Sequence, residues 1–72
     1  MRKLVKRQLK KLEAIKTNYE MMRRDLVDTI TQNPDNKIQN NAYRHQILGI
    51  DKDIQRIDVS IRSCQQTINS LF

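Results

Sequence analysis

The residues that could do chemistry in this chain are few, and their spacing argues against most reactions. His45 stands beside Arg44 with no Cys or acid at ligand spacing, so it makes no metal site and reads as a surface residue. Cys64 is the only thiol. It falls among isoleucines with no base placed to activate it, so it reads as a small core hydrophobe. Asp51, Asp53 and Asp58 are interleaved with Lys52 and Arg56, the pattern of a solvated salt-bridge face and not of a carboxylate pair in a pocket. Catalysis is therefore not expected, and no cofactor is implied.

Charge is the stronger chemical signal. Residues 1–16 carry Arg2, Lys3, Lys6, Arg7, Lys10, Lys11 and Lys16 against Glu13 alone, so the whole net charge of +6 lies there. Residues 17–72 hold seven basic and seven acidic side chains. Such a polarised segment suits an anionic partner, with Arg2, Lys3, Lys6, Arg7, Lys10 and Lys11 as the candidate patch. Contact with a DNA or RNA backbone needs only such charge, although no aromatic is placed in this segment for stacking. An anionic membrane surface is a further candidate, because Leu4, Val5, Leu9 and Leu12 alternate with the lysines.

The elements that position these groups follow from periodicity. The chain has 72 residues, one Gly (Gly49) and one Pro (Pro34), too few turn-formers for a sheet. Val5, Leu12, Tyr19 and Leu26 recur every seven residues, and Leu9, Ile15, Met22 and Ile30 widen the stripe. This predicts a first helix over about 2–31. Thr31-Gln-Asn-Pro-Asp-Asn36 then predicts a turn over 32–36. There Asn33 is expected to cap the second helix and Pro34 to take its first position, giving a helix over about 34–71.

The second stripe is cleaner. Tyr43, Ile50, Ile57, Cys64 and Leu71 fill one heptad position, and Ile47, Ile54, Ile61 and Ile68 the other. Gly49 beside this seam could admit a close backbone, mark a bend or simply be exposed. Two long helices joined by a short turn fold back antiparallel. The fold class is thus all-α, a single coiled-coil-like helical hairpin over 1–72.

Such a hairpin has more apolar face than it can cover alone, which predicts dimerisation or a protein partner. The expected partner surface lies on the second helix, at Tyr43, Ile47, Leu48, Ile50, Ile54, Ile57 and Ile61. Leu48 is expected to flank the seam and stay exposed for a partner, and Val59 to face solvent. No apolar run reaches the ~18 residues of a membrane span, and a cytoplasmic location is expected.

Residues 26–71 resemble the small co-chaperones of type III secretion needle subunits. The likeness lies in the turn Asn33-Pro34-Asp35-Asn36, in Gln39 and Tyr43, and in the ladder Ile47, Ile50, Ile54, Ile57, Ile61. The resemblance implies a cytoplasmic protein that binds a tetratricopeptide-like chaperone. Together they would keep the needle subunit soluble and monomeric. A needle-like filament subunit is the near neighbour of this reading. The basic first helix departs from the family pattern.

Overall fold

The computed structural model describes residues 2–71. They form two helices, α1 (Arg2–Gln32) and α2 (Lys37–Leu71), packed side by side in an antiparallel hairpin. The rod measures 54 × 14 × 12 Å. The all-α hairpin expected from the stripes is what forms.

Its turn works differently from the expectation. Asn33 closes α1 instead of opening α2. Its backbone N–H donates to the Thr29 carbonyl at 3.1 Å, and its Nδ2 donates to the same oxygen at 3.1 Å. Pro34 and Asp35 are turn residues, with the Asn36 N–H donating to the Asn33 carbonyl at 3.3 Å. The fixed φ of proline suits the second position of such a turn as well as it suits a first helical position. The cap of α2 is Asn36, whose carbonyl accepts the first helical bond from Asn40 at 2.9 Å. Asn36 Nδ2 donates to Gln39 Oε1, and Gln39 Nε2 donates to the Tyr43 hydroxyl, both at 2.7 Å. A chain of polar side chains thus ties the cap to the first two turns of α2.

The seam of α1 is narrower than the stripe read from the sequence. Val5, Leu9, Leu12, Tyr19, Leu26 and Ile30 are half-buried on it. Ile15 and Met22 are exposed. Their places in the heptad are taken by the next residues, Lys16 and Arg23, which reach across to α2. Asp51 and Asp58, read as a solvated face, receive them. Lys16 Nζ lies 2.7 Å from an Asp58 oxygen, and Arg23 Nε lies 2.7 Å from an Asp51 oxygen.

On α2 the ladder is a true seam. Ile47 and Ile50 are the buried hydrophobic residues, at 9% and 7% exposure, while Ile54, Ile57, Ile61, Cys64 and Ile68 are half-buried. One heptad before Ile47, the seam position is Asn40, the most buried side chain described, at 2%. Its Nδ2 donates to the Asn33 carbonyl at 2.7 Å, while its Oδ1 is buried without a partner among the described residues. Gly49 is neither a close approach nor a strained position. A Cβ there would meet nothing within 4 Å, and its φ is not positive.

Candidate functional site

The site candidates separate into two flanks and one end of the rod. Adjacent residues on a helix point about 100° apart. Ile15-Lys16, Met22-Arg23, Ile50-Asp51 and Ile57-Asp58 are adjacent pairs, each an apolar residue followed by a charged one. The charged members converge on one side of the hairpin and form the two ion pairs between the helices. Of the apolar members, Ile15 and Met22 are exposed on the other side, Ile57 is half-buried at its edge, and Ile50 is buried in the seam.

The bridged flank therefore carries a charged groove. It is a shallow depression of about 530 Å³ lined by Glu20, Arg23, Arg24, Val27, Asp51 and Ile54. The bond to Asp58 is the main cause that raises the Lys16 pKa above its ordinary 10.5, with partial desolvation opposing it. The apolar flank carries Leu4, Ile15 and Met22 exposed on α1, with Ile57 and Cys64 half-buried on α2. Toward the open end a second depression of about 540 Å³, lined by Leu4, Arg7, Gln8 and Lys11, continues this flank.

The residues expected to bind a partner do not form one surface. Ile47 and Ile50 are spent on the hairpin's own core. Tyr43, Ile54 and Ile61 lie half-buried in the seam, and Ile57 at its edge opens onto the apolar flank. Leu48 is 59% exposed, but Val59 is 62% exposed and lies eleven residues on, three turns along the same side of α2. The distinction drawn between them has no basis in the fold, because both point away from α1. The α1 half of the apolar flank was missed: Ile15 and Met22 were assigned to the seam.

At the open end the basic patch stays together. Arg2, Lys3, Lys6, Arg7, Lys10 and Lys11 are all exposed. Ion pairs were found for none of Lys3, Lys6, Arg7, Lys10 or Lys11 among the described residues. The antiparallel return does not neutralise them, since residues 59–71 carry a single charge, Arg62. The open half, residues 2–16 with 58–71, therefore holds net +6, and residues 17–57 hold zero. His45 is exposed, and Cys64 is a free thiol. No described helix is long and apolar enough to cross a membrane.

Compared with protein-family models, with curated proteins and with solved structures, the chain matches none.

Proposed function

We propose that this chain is a non-enzymatic protein-interaction hairpin, which completes a helical bundle by offering its apolar flank to other helices. The observation that carries this reading is the uncovered surface. A compact protein of 8.6 kDa exposes about 4,700 Å², whereas the hairpin exposes 5950 Å². Two helices can cover only one side of each other, and Leu4, Ile15 and Met22 are left outside.

The resemblance of the turn and the α2 ladder gives the reading a specific form. The hairpin acts as a cytoplasmic co-chaperone beside a tetratricopeptide-like chaperone, and the pair holds a needle subunit as a monomer. Co-expression of the full chain with a needle subunit and its repeat chaperone tests this form. A complex lost on Ile15→Asp, with helicity unchanged by circular dichroism, supports it. A chain that never joins such pairs removes the secretion form, and an Ile15→Asp chain that joins them normally removes the apolar flank as the docking face.

A second reading rests on the segregated charge. A rod with net +6 in one half can lie along a nucleic-acid backbone. Affinity for duplex DNA or RNA that falls linearly in log salt, and collapses when Lys3, Lys6, Arg7 and Lys10 are replaced by Gln, would favour it over the first.

A further inference from the structure

The apolar flank is continuous with charge of both signs, and that charge has an order. On α1, Arg7 and Lys11 flank Leu4 toward the open end, and Ile15 and Met22 occupy the middle. Asp25 lies toward the turn, eighteen residues after Arg7, which is five whole helical turns. Arg7 and Asp25 therefore stand on one line of the helix surface at equal distances from Lys16, close to the midpoint of α1 (Arg2–Gln32). Both are exposed, and neither forms an ion pair among the described residues. A basic end, an apolar middle and an acidic end on one flank complement the same sequence read backwards.

We infer that a second copy of this chain closes the apolar flank, lying antiparallel upon it, α1 on α1 and α2 on α2, in a two-fold four-helix bundle. This inference rests on the reading of that flank as a docking face and names its first occupant. The two-fold axis crosses the apolar flank at the level of Lys16 along the rod, so Ile15 meets the middle of the other flank and Arg7 faces Asp25 of the second copy. Such an interface is isologous, each contact occurring twice.

Two further observations select this arrangement. The parallel alternative, with the two-fold axis along the rod, would stack the two +6 halves on one another, whereas the antiparallel one sends them to opposite ends of the rod. The surface excess is also sufficient. The hairpin exposes about a quarter more area than a compact chain of its mass, more than the ~800 Å² each partner loses in a standard interface. Association leaves the ion pairs of the other flank untouched.

The test is sedimentation of the full chain from low-micromolar concentration to about 100 µM, with helicity followed in parallel. The expected result is a monomer–dimer equilibrium without larger species. Arg7→Glu and Asp25→Arg should each raise the dissociation constant about 5-fold, and the combined R7E/D25R variant should return it to within about 2-fold of the original. Ile15→Asp should raise it by at least about 30-fold, since two buried carboxylates are introduced. A monomer throughout overturns the inference, and so does a dimer whose charge-reversed single variants bind normally or whose double variant is not rescued. A monomeric chain whose capture of a helical partner is still abolished by Ile15→Asp would overturn the second copy and keep the docking face. A dimer and a capture both indifferent to Ile15→Asp would overturn both.

Discussion

The two flanks of the hairpin start from the same heptad geometry and end with opposite properties. Along one, Lys16 and Arg23 reach Asp58 and Asp51. Along the other, their immediate neighbours Ile15 and Met22 stay exposed. A shift of one residue, about 100° of helix, separates a closed flank from an open one. The comparison teaches how a two-helix protein divides its labour. Ion pairs at fixed heptad spacing set the register of the hairpin, because a slide by one turn would place each base beside the wrong group. The apolar residues left over are then free for association. Exposed ion pairs contribute little stability, typically below about 1 kcal/mol each, so their value here lies in specifying the pairing.

That division can be broken most severely at the seam. Ile50→Ala removes part of the small buried core and should cost about 2–4 kcal/mol in thermal or denaturant unfolding. The same truncation at Met22, on the open flank, should cost less than about 0.5 kcal/mol in a dilute sample. Equal losses at the two sites would erase the difference between seam and flank. Asn40→Ala should cost about 1–2 kcal/mol, because it strips a donor from the Asn33 carbonyl at the turn. Gly49→Ala should change stability in the other direction, raising it by about 1 kcal/mol, since the added methyl meets open space in a helix interior. The bridged flank should respond least. Asp51→Arg should lower stability by several tenths of a kcal/mol, and R23D/D51R should recover most of it. The Lys16 contribution has a definite pH sign. Its folded-state pKa lies above the unfolded 10.5, so its stabilisation is present below pH 10.5 and fades as pH rises beyond it. Unfolding curves recorded from neutral pH into that range check this.

Much of the fold was legible because periodicity and turn chemistry are local signals. The α1 stripe at Val5, Leu12, Tyr19 and Leu26, the α2 ladder and the break at Pro34 lead directly to a hairpin. The capping role of Asn33 was misassigned because Asn33-Pro34 fits a helix start and a turn equally well. The bonds from Asn33 to the Thr29 carbonyl and from the Asn40 N–H to the Asn36 carbonyl separate the two. The cross-helix ion pairs were hidden for a different reason. A lysine in a heptad position reads as solvated until its opposite residue is known. Their register was nonetheless written in the chain. Lys16 and Arg23 are seven apart, Asp58 and Asp51 are seven apart in the opposite order, and an antiparallel hairpin requires that reversal. Asn40 sits one heptad before Ile47, so a polar residue in the seam beside the turn was also readable, though its acceptor was not.

The central claim is that the two flanks differ in what covers them, and alkylation of single thiols tests it most directly. In a Cys64→Ser background, Met22→Cys places a thiol on the apolar flank and Glu20→Cys places one beside the ion pairs. Reaction rates of the full chain are then compared at low-micromolar concentration and at about 100 µM. The Met22→Cys thiol should react freely when dilute and become several-fold protected when concentrated, while the Glu20→Cys thiol reacts at the same rate throughout. Equal behaviour at both positions, or protection only at Glu20→Cys, would contradict the account.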